Sequence, residues 1–308
     1  IGPVKDEIPG PHMMAMGRLG RQSGRRSPAR NLLGLRSHLE PLVSTDPLYL
    51  FATDRPAFFG QQSTDAAVAI PWICQAANSK SGNEIWNSWR KKHDNARIDL
   101  RGADLAGLVF NDNTSYVDLD LSNVDLSDAN FSSAQLESVS FENSNLQHAN
   151  FSTTKLETIS FNRSDLCSAI FDSSTMASRV LFRYAEMRAA SCQRIEACEV
   201  SFAGADLGAC DFSRSTIRET DFSQANMSEA KLYRCDLYGS NLERASLIRA
   251  KLEKTDLRGT KVSGADFTDA RVSWADFRSI SDLSQEQLDK VEKGFRGDEP
   301  ELPDGLFL

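Results

Sequence analysis

The sequence predicts an all-β solenoid, a chain wound into a coil that turns a corner every five residues. Two observations carry this. From Asp99 to Phe277 a large apolar residue recurs at every fifth position, with a small residue two places before it. Examples are Ala205-Asp-Leu-Gly-Ala, Ala225-Asn-Met-Ser-Glu, Ala230-Lys-Leu-Tyr-Arg and Ala265-Asp-Phe-Thr-Asp. A period of five fits neither the 3.6 of a helix nor the 2 of a flat strand, and sustained self-similarity is the mark of repeat architecture.

The segments in order support this division. Residues 1–82 form an irregular, proline-containing arm whose first stretch, Ile1 to His12, reads equally as a tag remnant, after Gly10-Pro-His-Met, or as a natural mature end. Arg18, Arg21, Arg25, Arg26, Arg30 and Arg36 follow with no acid before Glu40, which resembles an organelle targeting leader and equally a flexible basic arm. Pro41, Pro47, Pro56 and Pro71 break helices, while Leu48, Phe51, Phe58, Phe59 and Trp72 offer apolar anchors for a surface. Residues 83–97 read as a capping helix with Asn83 as N-cap and Ile85, Trp86 and Trp89 on one face. A solenoid exposes raw core at its ends, so Trp86 and Trp89 are expected to be a lid.

Residues 98–280 are the repeats, with single-residue slips around Asn111 to Tyr116 and at Leu181-Phe182 that read as bulges. Residues 281–308 form the second cap. Ser284 with Gln287 makes a capping-box pair, the expected helix runs from Gln285 to Lys293, Leu288 and Val291 face inward, and Gly294 and Gly297 end it.

The Ala-Asp/Asn-Leu/Phe-X-X pattern resembles the pentapeptide-repeat family. That resemblance implies a right-handed, four-sided parallel β-helix in which four repeats make a coil of about 20 residues. It predicts that residues 20 apart stack. Phe202, Phe222, Leu242 and Val262 then form one inward column, and Leu207, Met227, Leu247 and Phe267 a second. Phe212, Leu232, Leu252 and Val272 form the third, and Ile217, Leu237, Leu257 and Phe277 the fourth. All are apolar, as the geometry requires.

The 308 residues carry a net charge of −8, which argues against general nucleic-acid binding. No apolar run is long enough to cross a membrane. The six cysteines are too few for a disulfide scaffold. Cys192 takes a large inward place, Cys210 and Cys235 small ones, as buried thiols behaving like small hydrophobes. His12, His38, His93 and His148 lack ligand spacing, so no metal, and no cofactor, is expected. A filled coil without long loops offers no cleft for convergent catalytic groups. The Asp and Asn before each centre recur with the period and read as structural, so the chain is not expected to be an enzyme.

The outer surface is more informative. One outward ladder reads Arg194, Arg214, Arg234, Lys254, Trp274, its neighbour Ser191, Asp211, Lys231, Lys251, Arg271, with Tyr233 between them. The same face earlier in the chain is uncharged, with Asn130, Asn150, Ser133, Thr153 and Ser173. An adjoining ladder, Arg218, Tyr238, Arg258, Arg278, runs beside Asp236, Asp256 and Asp276, which should offset it. Ile98 to Leu181 holds about twelve acids against four bases, whereas Phe182 to Ile280 is balanced.

The reading that follows is a non-catalytic scaffold subunit. It would contact other protein chains through the arm and one face, with the basic stripe suited to an acidic protein surface or anionic head groups. The basic stretch leaves the compartment open, favouring a plastid or mitochondrion slightly over the bacterial cytoplasm. The family resemblance adds a second reading, an acidic rod that mimics duplex DNA and binds gyrase or topoisomerase. A bacterial effector or a spacer domain is a third.

Overall fold

The structure is a computed structural model that describes residues 80–92, 98–110, 119–292 and 298–308. Expectations placed on the arm before Lys80, on the side chain of Trp89, and on Gly294 and Gly297 lie outside the described residues.

The chain forms a parallel β-solenoid. Helix α1 (Lys80–Lys92) precedes short strands β1 (Ile98–Asp99), β2 (Val109–Phe110), β3 (Leu119–Asp120) and β4 (Val124–Asp125). Then come β5 (Gln135–Ser140), β6 (Lys155–Ser160), β7 (Thr175–Ser178), β8 (Glu196–Cys198), β9 (Thr216–Arg218) and helix α2 (Gln285–Leu288). All pairings are parallel, and β5 stacks on β6 with Leu136 opposite Leu156 and Glu137 opposite Glu157. Beyond the strands, bridges link residues 20 apart through the C-terminal half, as in Asp211 to Lys231 to Lys251 to Arg271. The four inward columns are therefore real. Phe202, Leu207, Phe212 and Ile217, and the residues stacked on each, are buried at 2 % exposure or less.

The reason for a five-residue period is visible at each corner. The small residue and the large centre are buried, and the next two residues turn the chain outward. At Leu126 the Ala129 amide donates to the Leu126 carbonyl at 3.1 Å, and Asp128 between them has φ 58°. A turn whose third residue has positive φ is the type II pattern. The Asp or Asn before the centre holds this turn. Asp125 Oδ1 accepts from the Ser127 amide at 3.1 Å, and Asn145 Nδ2 reaches across one coil to Asp125 Oδ1 at 3.1 Å. These residues are structural.

Aromatic columns fill the middle of the coil. Phe141, Phe161, Phe182, Phe202 and Phe222 stack with centroids 4.7 to 5.1 Å apart, and Phe131, Phe151 and Phe171 stack on the opposite side. The two columns meet edge-to-face, Phe151 against Phe161 at 5.4 Å and 84°. Both geometries are favoured by the ring quadrupole.

The structure corrects both slips. Between Leu156–Glu157 on one coil and Met176–Ser178 on the next, Ala177 is the extra residue of a bulge. The slip therefore sits at β7 rather than at Leu181-Phe182. Leu181 is partly exposed and Phe182 takes the buried centre. The bulge pairs two residues against one and moves the following register to 21, as in Asp165 to Glu186. At the earlier slip, Val109 pairs with Gln135 and Asp104 with Asn130, both 26 apart, whereas Leu119 pairs with Val139, 20 apart. Six extra residues therefore enter between Phe110 and Leu119. In a count of five this insertion of five plus one looks like a slip of one.

At the N-terminal end, α1 begins at Lys80, so Asn83 lies within the helix rather than capping it. Trp86 is buried at 6 %, and its indole Nε1 donates to the Asp120 carbonyl at 2.6 Å. Asn87 Oδ1 accepts from the Asp120 amide, and Arg90, also buried, donates from Nη2 to the Ser122 carbonyl. A lid must satisfy the backbone groups that a missing coil would have paired, and Arg90 was not among the residues expected to do so.

At the other end the capping box is present, with Ser284 and Gln287 bonded reciprocally. Helix α2 is one turn, Gln285–Leu288, shorter than the expected run to Lys293. Gln287 Nε2 donates to the Val262 and Ala265 carbonyls, both at 2.9 Å, and Leu288 and Val291 are buried. Glu292 and Glu301 continue the bridges of Arg271 and Asp276. The Phe277 amide donates to the Glu301 carbonyl at 2.7 Å. The tail thus supplies the pairing that a further coil would have made.

Candidate protein-interaction face

The ladder Arg194, Arg214, Arg234, Lys254, Trp274 occupies the positive-φ position of each corner, with φ between 55° and 63°. Those side chains are exposed, while the centres beneath them, Cys192, Phe212, Leu232, Leu252 and Val272, are buried. Each backbone is pinned by a rung, for example the Arg214 amide to the Tyr233 carbonyl at 2.9 Å. The face is a rigid frame carrying a row of long cationic side chains.

Among the described residues, Arg194, Arg214 and Arg234 make no ion pair, and neither does Lys251. The Arg234 guanidinium lies 5.2 Å from the centroid of the Tyr233 ring, and Lys254 Nζ lies 4.6 Å from that of the half-exposed Trp274 ring. Such contacts hold a cation without neutralising it. In the neighbouring column, Lys231 pairs with Asp211 at 3.3 Å and Arg271 with Glu292 at 2.8 Å, so those two are partly compensated.

The adjoining ladder differs in this respect. Arg218 pairs with Asp236 at 2.6 Å, Arg258 with Asp256 at 2.6 Å and Asp276 at 3.4 Å, and Arg278 with Asp276 at 2.7 Å and Glu301 at 2.9 Å. Hydrogen bonds from Arg258 and Arg278 hold the carboxyls of Asp256 and Asp276 below their ordinary values. Two neighbouring rows of arginine thus have opposite character, one satisfied within the chain and one free to take an outside anion.

Earlier on the basic face the surface is neutral and self-bonded. Ser133 and Thr153 hydroxyls lie 2.9 Å apart, and Asn150 Nδ2 donates to Asn130 Oδ1 at 3.4 Å. Asp172, just before the charged ladder, accepts from the Ser191 hydroxyl and the Gln193 amide. Glu253, between Leu252 and Lys254, lies half-buried along the edge of the ladder.

Cys192, Cys210 and Cys235 are buried, and burial pushes each thiol up, Cys210 to about 12. Cys210 Sγ donates to the Met187 carbonyl at 2.7 Å. Asp165, Cys167 and Glu186 converge, their ligand atoms within 4.8 Å of one another. The sequence hid this group because it spans two coils across the bulge. Burial, then the Asp165 carboxylate, pushes the Cys167 thiol up to about 11, so at neutral pH it keeps its proton. No described helix is long and apolar enough to cross a membrane.

Comparisons with known proteins bear on this arrangement. The family model described as pentapeptide repeats matches in eight copies, over residues 112–143, 120–157, 205–244 and 245–281. A search of curated proteins gives no match. Among solved structures, the chain is similar to HetL, a pentapeptide repeat protein involved in heterocyst differentiation regulation from the cyanobacterium Nostoc sp. strain PCC 7120. Identity is 27 %, coverage 58 % of this chain and 86 % of that one, and the TM-score 0.37. It is similar to full-length QnrB1, a plasmid-mediated fluoroquinolone resistance protein, at 19 % identity over 67 % of this chain and 92 % of that one, TM-score 0.46. It is also similar to a pentapeptide repeat protein from the Arabidopsis thaliana thylakoid lumen, at 22 % identity over 45 % and 76 %, TM-score 0.18. Over residues 120–157 and 205–281 the five-residue count, the stacked 20-residue register and the family match coincide, and the solenoid is built of pentapeptide repeats.

Proposed function

We propose that the chain is a non-catalytic binding subunit whose basic face, Arg194 to Trp274, docks an acidic surface of another protein. The observation that carries this is the row Arg194, Arg214 and Arg234. These guanidiniums are exposed and without ion pairs among the described residues, although the chain carries a net charge of −8. Arginine presents a planar fork that matches a carboxylate in two parallel hydrogen bonds. A row of unpaired cations repels itself, so an acidic partner relieves that repulsion as it binds. The DNA-mimic reading asks for a continuous acidic face, and this row interrupts it.

The test is purification of the tagged full chain from its native source with quantitative mass spectrometry. The proposal expects a protein recovered near stoichiometry, released by raised salt, and lost when Arg214, Arg234 and Lys254 are all changed to Glu. A partner retained unchanged by the triple variant, or no stoichiometric protein at all, contradicts it.

A further inference from the structure

The spacing of the free cations names the kind of surface they fit. We propose that the ladder Arg194, Arg214, Arg234, Lys254 receives one acidic α-helix of a partner, lying along the solenoid axis with its carboxylates in single file. This inference rests on the protein-docking reading above.

Coils stack about 4.8 Å apart, so the four cations stand at roughly 0, 4.8, 9.6 and 14.4 Å along the axis. A helix rises 1.5 Å per residue, and acids at i, i+4, i+7 and i+11 lie on one face at about 0, 6, 10.5 and 16.5 Å. Each carboxylate then falls within about 2 Å of one rung, well inside the reach of a flexible arginine. A strand places same-face residues every 6.8 Å or so, which gives three carboxylates for four rungs and leaves the middle one between two cations. The one-to-one match belongs to the helix.

The width of the stripe selects against broad anionic surfaces. Asp211 lies on one side of the row, paired to Lys231, and Glu292 stands at its far end, paired to Arg271. Glu253 occupies the column between the two basic ladders, stacked after Tyr233. A plane of head groups laid on this face brings anions onto Asp211 and Glu253 as well as onto the arginines. A single file of carboxylates does not. At the end of the row Trp274, 49 % exposed and already contacted by Lys254, offers a flat apolar surface for one side chain of the same helix.

The test uses the full chain and fluorescein-labelled peptides of one composition, read by fluorescence anisotropy. In the first, four Glu lie at i, i+4, i+7 and i+11, with a hydrocarbon staple on the opposite face. In the second, stapled alike, the Glu are spread around the helix. The third is held extended by proline with Glu at alternate positions. The single-file helix is expected to bind at least about tenfold more tightly than the other two. Arg214→Glu with Arg234→Glu should weaken it by more than about tenfold, while Arg163→Glu, an exposed change elsewhere on the coil, leaves it unchanged. Circular dichroism confirms that each variant keeps the fold. Equal binding of the three peptides, preference for the extended one, survival of binding in the double variant, or no binding overturns the helix inference. So does tighter binding to anionic-lipid vesicles or duplex oligonucleotide than to the helix. If every peptide fails while the purified partner is still lost in the triple variant, the docking reading stands and the helix inference alone falls.

Discussion

At nearly every corner of this coil the residue two places after the buried centre carries a positive φ, and most of these residues are not glycine. For an L-residue that conformation costs roughly 1–2 kcal/mol, and the stacked rungs and the buried centre beneath hold it. The consequence is functional as well as structural, because the strained position is also the most outward one. Arg194, Arg214 and Arg234 project from there. Where the position is glycine a neighbour can lie close: at Gly204, φ 67°, an added Cβ would stand 2.6 Å from Tyr184 Cε1. The tyrosine ring rests on bare backbone. Thiols at the same scale divide by burial. Cys198 is exposed, whereas Cys192, Cys210 and Cys235 are enclosed with their thiols pushed up. Among the described cysteines, brief alkylation of the native protein at pH 8 should label Cys198 first and leave these three unmodified until denaturant is added. Peptide mapping that finds Cys192 labelled as fast as Cys198 would show that the core is open there.

At the scale of the ladder, charge is arranged in two ways on neighbouring faces, and acid should separate them. Asp256 and Asp276 are held below the ordinary carboxylate value, chiefly by hydrogen bonds from Arg258 and Arg278. Carboxyls depressed in the folded state stabilise it fully above their unfolded value, about 3.9, and lose that contribution as pH falls through the folded values. Replacing both by Asn keeps an Oδ1 acceptor for the Arg258 and Arg278 amides but removes the charge. The variant should melt lower than the parent at pH 7, with the gap narrowing as pH falls from about 4 towards 2. Raised salt should also narrow it, since these arginines are largely exposed. A constant gap across that range in thermal melts would mean that the ion pairs contribute nothing.

The elements also show what was legible in the sequence. A strict period of five, with small and large apolar residues alternating two apart, is enough to define buried columns, because residues 20 apart must share a side. The ladder Lys231, Lys251, Arg271 was readable for the same reason, and the bridges place those residues one above another. The insertion before Leu119 looks like a single-residue slip in the sequence because periodicity reports position modulo five, so six residues and one residue look alike. The bulge at Ala177 is masked in the sequence because Leu181 is apolar and imitates a centre. The lid contact of Arg90 could not be seen, since a buried arginine satisfying the Ser122 carbonyl leaves no trace in hydropathy. Nor could periodicity distinguish the free arginines from the paired ones. That difference depends on which arginines the neighbouring acids reach: Asp236, Asp256 and Asp276 pair with Arg218, Arg258 and Arg278, and with neither Arg214 nor Arg234.

For the whole solenoid, each coil contacts only its neighbours, so stability is a sum over adjacent interfaces and the surface is a regular lattice of outward positions. The phenylalanine columns from Phe131 to Phe222 make the middle stiff. The caps at Trp86 and at Gln287 close the backbone at each end. What such a lattice does is decided by which side chains stand on it, and among the described residues five cations without an ion pair, Arg194, Arg214, Arg234, Lys251 and Lys254, stand on one face of the C-terminal half, while others such as Arg163, Arg244 and Lys261 are scattered over the remaining faces. The most direct test of the account places a photo-cross-linking residue at Arg214 in one variant, at Ser133 on the neutral part of the same face in a second, and at Arg163 on another face in a third. Irradiation follows with the native partner bound. The account predicts a cross-linked partner peptide rich in Asp or Glu from position 214 and none from 133 or 163. Equal cross-linking from all three positions, or cross-linking from 163 alone, would contradict it.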